Sequence, residues 1–231
     1  MTRQLPLALG LQHAPGLDDF VIGRNQVVID ALRRSLEPDG EPILYLFGPA
    51  GCGRTHLLLG QCTEAERHGL RCAYLSLTEH AALAPEMLEG LENLDLVAVD
   101  DIQAIGADRI WEEALFALFN RCRDLGTRML FSADCGPNAL PVQLPDLRSR
   151  LAWGLTLSLH ALDDAGRLEL LQSLARRRAL KLPDEVARYL LDRTPRHPGD
   201  LVDTIARLDR ASLAEKRRLT IPFVRDSLQL G

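Results

Sequence analysis

Apolar positions along this chain change their period at clear points. Residues 25–36 place apolar side chains at 27, 28, 31, 32 and 36, the spacing of one helix face. The run Ile43-Leu44-Tyr45-Leu46-Phe47 is continuous, short and followed by Gly48, which reads as a buried strand. The alternation then repeats. A helix is expected at 55–68, a strand at 72–77, a helix at 81–91 and a strand at 96–99 that ends in two aspartates. Asp108 would cap a helix reaching about 125, with Ile110, Ala114, Leu115, Leu118 and Phe119 on its inner face. Strands are expected again at 128–132 and 155–159. After Leu162 every segment reads as helix, at about 163–179, 184–193, 198–214 and 221–229.

Strands alternating with helices imply a parallel sheet covered on both faces, and the run of helices implies a small bundle behind it. The expected fold is α/β, a parallel five-stranded sheet followed by a small all-α lid. Residues 1–13 show no helical period and precede Ala14-Pro15-Gly16, so they read as an extended tail. The expected division is 1–13, 14–161 and 162–231.

Composition narrows the picture. No apolar run approaches the roughly 18–20 residues of a membrane helix, and no signal peptide opens the chain, so a cytoplasmic protein is expected. Five cysteines lie scattered without C-x-x-C spacing, which speaks against a metal site or disulfide framework. Net charge is −5, unlike a protein that coats nucleic acid. The charge is uneven: residues 1–160 carry 13 basic and 21 acidic groups, and residues 161–231 carry 14 and 11. Of 27 basic residues only Lys181 and Lys216 are lysines. The basic stretch Arg176-Arg177-Arg178 with Lys181 reads as a solvated lid face, and Trp111 and Trp153 read as packing aromatics.

The chemistry gathers in two places. Gly48-Pro49-Ala50-Gly51-Cys52-Gly53-Arg54-Thr55 has the spacing of a phosphate-binding loop, with Arg54 in the lysine position. It lies between a predicted strand and a predicted helix, the context that lets backbone N–H groups and a helix N-terminus surround a phosphate. Thr55 is the expected Mg2+-binding hydroxyl. Arg54 is larger and planar where lysine is a compact point charge. Binding should survive that exchange better than turnover. Val97-Ala98-Val99-Asp100-Asp101 has the Walker B pattern, in which Asp100 would support Mg2+ and Asp101 would polarise a water.

Further residues carry a resemblance: Asp19-Phe20-Val21-Ile22-Gly23-Arg24-Asn25, Val99-Asp100-Asp101-Ile102-Gln103, Ser132-Ala133-Asp134 and Leu147-Arg148-Ser149-Arg150-Leu151-Ala152-Trp153-Gly154-Leu155. Together these resemble the AAA+ module of the DnaA family of bacterial replication initiators, over residues 17–230. The resemblance implies adenine contacts at Phe20 and Val21 and nucleotide contacts at Pro49, Ala50, Gly51, Cys52, Gly53, Arg54, Thr55 and His56. It makes Asp134 sensor 1 and Arg150 an arginine finger acting in trans. It also implies ADP or ATP with Mg2+ as cofactors. A sensor 2 arginine is expected on the third lid helix. Gly199 stands at that place, and Arg196 could substitute only if the helix began earlier.

Two features are similar to the regulatory-inactivator members of that family. No helix-turn-helix segment is expected after the lid. The tail Gln4-Leu5-Pro6-Leu7-Ala8-Leu9 is similar to the hexapeptide that docks on the replication sliding clamp, with Gln4, Leu5, Leu7 and Leu9 as its contacts. The stretches Leu208-Asp209-Arg210-Ala211-Ser212 and Leu219-Thr220-Ile221-Pro222-Phe223-Val224 agree. The implied partners are DnaA and the β sliding clamp of DNA polymerase III, with a homodimer among the assemblies and no sequence-specific DNA binding. The implied role is negative control of replication initiation at the replisome. Two alternatives stay open: a self-sufficient ATPase of helicase-loader type, and an adaptor whose phosphate loop is a relic.

Overall fold

The computed structural model describes residues 16–229. The tail residues Gln4, Leu5, Leu7 and Leu9 lie outside them. The chain divides into two compact units, one built on residues 16–20 and 25–160 and one on Val21–Arg24 with the segment from Ala161 onward.

The first unit holds β1 (Ile43–Phe47), β2 (Cys72–Ser76), β3 (Leu96–Asp100), β4 (Arg128–Ala133) and β5 (Leu155–Ser158) in one sheet, order β2-β3-β4-β1-β5. Every pair is parallel. Continuous apolar runs form the inner strands because both faces are covered; Tyr45, Leu46, Ala98 and Val99 are fully buried. β5, at the edge, buries only Leu157. Around the sheet lie α1 (Gln26–Ser35), α2 (Arg54–Arg67), α3 (Arg109–Leu125) and α4 (Pro145–Leu151). Asp108 caps α3, accepting from the amides of Ile110 and Trp111.

The second unit is a helical bundle of α5 (Asp164–Arg177), α6 (Asp184–Arg193), α7 (Pro198–Glu215) and α8 (Ile221–Leu228). Leu171, Leu190, Ile205, Leu208 and Phe223 are buried at its centre. Asp163 caps α5 through the Gly166 amide, and Thr220 caps α8 through the Phe223 amide. Among the described residues no helix is long and apolar enough to cross a membrane.

Several expectations are corrected. Residues 81–91 form no α-helix; short 3-10 turns occupy His80–Ala82, Pro85–Leu88 and Leu91–Asn93. Pro85 forces Ala84 into extended backbone, and Gly90 is left-handed at φ 85°. The helix α4 was not anticipated. Val27 and Ile110 are 70% and 69% exposed, so the buried stripes run through Val28, Ile29 and Leu32 on α1 and through Trp111, Leu115, Leu118 and Phe119 on α3. Both misplaced residues sit in a first helical turn, where a periodic pattern leaves the phase poorly fixed. Val21–Arg24 belongs with the second unit rather than the first. Val21 is buried, and Leu162 Cδ2 lies 3.4 Å from where a Gly23 Cβ would stand.

Candidate nucleotide site and arginine helix

The loop from Gly48 to Gly53 links β1 to α2. Two of its glycines are left-handed, Gly51 at φ 75° and Gly53 at φ 99°. A Cβ on Gly53 would lie 2.5 Å from Phe20 Cε2, and one on Gly48 would lie 2.6 Å from the Leu159 carbonyl oxygen. The loop can wind this tightly only without side chains there. Gly53 is the N-cap of α2 and offers no side-chain cap. The first amides of α2, from Arg54 to His56, therefore lack intrahelical acceptors, which suits them to phosphate oxygens. Phe20 stands over this turn, its ring centroid 5.5 Å from that of His56. Pro49 and Ala50 are exposed on the loop, and Cys52 is buried beneath it. Burial raises the Cys52 thiol pKa, with Arg54 partly offsetting that. Val21 lies in the second unit.

Asp100 ends β3 fully buried. Its carboxylate accepts from Thr55 Oγ1 at 2.7 Å, Tyr74 OH at 2.8 Å and the Asp101 amide at 3.1 Å, and from Ser132 Oγ. Burial, then the Asp100 charge, pushes the Tyr74 phenol far up, so it stays a donor. The pairing of Thr55 with Asp100 fits Mg2+, a hard cation that takes one or two protein oxygens and fills its octahedron with phosphate and water. The glycine turns and the open amides fit the phosphates. Tyr74 and Ser132 were missed in the sequence. A lone serine inside Met129-Leu130-Phe131-Ser132-Ala133 was the available signal, since a buried hydroxyl needs a partner.

Asp101 adopts left-handed backbone, φ 56° and ψ 50°. It pairs with Arg54 Nη2 at 3.0 Å and accepts from Gln103 Nε2 at 2.9 Å. Arg54 Nη1 donates to the Gly48 carbonyl. Gln103 Oε1 accepts from the Asp134 amide at 3.1 Å, tying the end of β4 to the second aspartate. The structure thus brings Arg54, Thr55, Asp100, Asp101 and Asp134 to one end of the sheet. Arg54 already engages the carboxylate that would polarise a water.

Arg150 belongs to a separate arrangement. It lies in the last turn of α4, its guanidinium carbon 5.1 Å from the Trp153 ring centroid. Trp153 is 57% exposed yet packs on Phe119 of α3, and Trp111 is buried. Among the described residues Arg150 has no ion pair or hydrogen bond to the loop or to β3. Arg196 precedes α7, which begins at Pro198, and pairs with Asp164 at 3.4 Å. The helix does not start early enough to include it, and Gly199 bonds through its amide to the His197 ring.

A family model of the bacterial DnaA ATPase domain matches residues 11–158, well over half of the chain. The chain belongs to this family. A second family model, described as the Hda lid domain, matches residues 164–228. Among solved structures, domain III of the Thermotoga maritima initiator DnaA is similar at 21% identity and a TM-score of 0.79, over 97% of this chain and 98% of that one. The AMPPCP-bound DnaA of Aquifex aeolicus is similar at 25% identity and a TM-score of 0.72, over 89% and 68%. The Thermotoga maritima RuvB branch-migration motor, at 19% identity and a TM-score of 0.69, shares the fold over 95% and 71%. The α/β architecture with a helical lid is therefore AAA+, and the family places the chain among DnaA-related proteins.

Proposed function

We propose that this chain is a nucleotide-holding regulator that stimulates hydrolysis of ATP bound to DnaA, converting it to inactive ADP–DnaA. The observation that carries the reading is Arg150, a cation presented on an exposed tryptophan and engaged by no carboxylate among the described residues. Such a group is suited to charge developing on a partner's phosphates. An arginine finger acts in this way and accounts for 10³–10⁵ in rate in other systems. The lid family and the pairing of Arg54 with Asp101 support the same reading.

In this proposal the loop from Gly48 to Thr55 holds ADP or ATP, with Phe20 and His56 beside it. Thr55 and Asp100 hold the accompanying Mg2+, which neutralises phosphate charge when bound. Asp134 stands as sensor 1. Gln4, Leu5, Leu7 and Leu9 dock on the β sliding clamp, so the regulator acts where DNA has been replicated and the protein works at the cytoplasmic replisome. The partners are DnaA and the clamp, with a homodimer as a storage form.

The test is hydrolysis of ATP pre-bound to DnaA, with this chain, ADP and clamp-loaded DNA. Stimulation is expected, with loss on omitting the clamp and in the Arg150→Ala and Gln4→Ala variants. Full stimulation by Arg150→Ala removes the mechanism. The complete Asp100, Asp101 and Gln103 array favours a second reading, a self-sufficient ATPase of helicase-loader type. Steady-state phosphate release by the chain alone, well above background, is its signature.

A further inference from the structure

We infer that Glu112 is a positioning residue for Arg150, and that α3 holds the arginine helix at both of its ends. The inference rests on the role proposed for Arg150. Glu112 is fully buried on α3. Its two carboxylate oxygens accept from consecutive amides, Oε1 from Gln143 and Oε2 from Leu144, each at 2.7 Å. Among the described residues it has no ion pair. Gln143 and Leu144 immediately precede α4. Leu144 is the N-cap of that helix and supplies no side-chain cap, and Pro145 follows at its first position. Arg148, one turn into α4, donates back to the Val142 carbonyl. Three successive residues are thereby fixed at the point where α4 begins.

A buried carboxylate is expensive unless both oxygens are satisfied, and an apolar side chain here would take the acceptor from the Gln143 and Leu144 amides. What the carboxylate adds is direction. It sets the orientation of the 143–144 peptide, and so the start of α4. Arg150 lies six residues beyond Leu144, a lever of about 9 Å at 1.5 Å per residue. A small rotation at the start is carried to the guanidinium.

The far end is tied to the same helix. The Trp153 ring stacks on Phe119 of α3, centroids 6.3 Å apart and planes at 25°. Arg150 lies over that ring, and Arg123 of α3 lies 5.8 Å from its centroid. Glu112 and Phe119 are seven residues apart, two turns along one helix face. One rigid element therefore sets both the start of α4 and the resting place of the Arg150 guanidinium.

The test compares Glu112→Gln, Trp153→Ala and Arg150→Ala in stimulated hydrolysis of DnaA-bound ATP. Glutamine keeps the shape of the side chain but turns an N–H toward one of the two amides. The expected result for Glu112→Gln is a maximal stimulated rate lower by about tenfold, in keeping with the sensitivity of catalysis to displacements near 1 Å. The concentration giving half-maximal stimulation should stay within about twofold, since docking is untouched. A second readout needs no activity. In a Trp111→Phe background, acrylamide quenching of Trp153 should rise in Arg150→Ala, which uncovers the ring, and rise likewise in Glu112→Gln. A stabilising role alone would lower the melting temperature and leave quenching unchanged. Should Glu112→Gln fold poorly, Trp153→Ala, at an exposed position, carries the same rate prediction. Full stimulation by Glu112→Gln beside an inactive Arg150→Ala overturns the inference and leaves the proposed function intact. So does a loss confined to half-saturation. Full stimulation by Arg150→Ala overturns the proposed function, and quenching then still decides whether Glu112 places the arginine.

Discussion

Gly53 meets two constraints at once, a left-handed φ of 99° and a Phe20 ring that leaves no room for a Cβ. Gly53→Ala should therefore destabilise the first unit by about 1–3 kcal/mol from backbone strain alone and weaken ADP binding further by moving Phe20. Urea denaturation and titration with a fluescent ADP analogue separate the two effects. Asp100 gives a second prediction. Thr55→Val should make ADP affinity the same in Mg2+ and in EDTA, whereas the parent chain is expected to bind more tightly with Mg2+. Tyr74→Phe should cost about 1.5–3 kcal/mol in urea, the range for hydrogen bonds to charged groups, without altering that Mg2+ response. The loop and both aspartates were legible because their spacing is local and the loop connects a strand directly to a helix. Tyr74, Ser132 and Glu112 were not. Each earns its role from a partner 26 to 32 residues away, and a glutamate on an amphipathic helix reads as solvated until its surroundings are known.

At the level of elements, Asp95 joins the starts of β2 and β3, its carboxylate accepting from the Arg71 amide at 2.8 Å. That amide, then the Arg71 guanidinium, holds the Asp95 carboxyl below the usual range. A carboxylate whose pKa is lowered by folding stabilises the fold above its unfolded value, near pH 4. The contribution disappears as pH falls through the lowered value. Asp95→Asn should flatten the dependence of the urea midpoint on pH over that acid range and leave its slope above pH 6 unchanged. Strands were the most readable elements, and the apolar runs of β1, β3 and β4 end at a glycine or an aspartate. Helix α4 escaped notice because seven residues give only two buried apolar positions, Leu147 and Leu151, too few to reveal a period. The segment from His80 to Asn93 erred the other way. Its apolar spacing imitates a helix, and Pro85 and Gly90 override it.

Across the whole molecule, two units with separate cores should not unfold as one transition. Calorimetry should resolve more than one step. ADP at a hundred times its dissociation constant should add about 2.7 kcal/mol to the step that includes the phosphate loop. Absence of any shift would favour the adaptor alternative. The division into sheet and bundle was visible as a change of hydrophobic period near residue 162. The assignment of Val21–Arg24 to the bundle was not visible, because a four-residue segment carries no period of its own.

The strand order has a consequence for synthesis. β1 lies between β4 and β5, pairing Ile43 with Met129 and Leu44 with Leu155. Both neighbours are translated long after it, and the second is complete only at Ser158. At 5–20 residues per second, the backbone edges of β1 wait roughly 5–20 s on the ribosome for their final partner. Throughout that interval Leu44, Tyr45 and Leu46, buried in the finished sheet, lie on a strand with at least one unpaired edge. The nascent chain is therefore most open to chaperone capture, and to pairing with a neighbouring ribosome's product, between the emergence of Phe47 and that of Ser158.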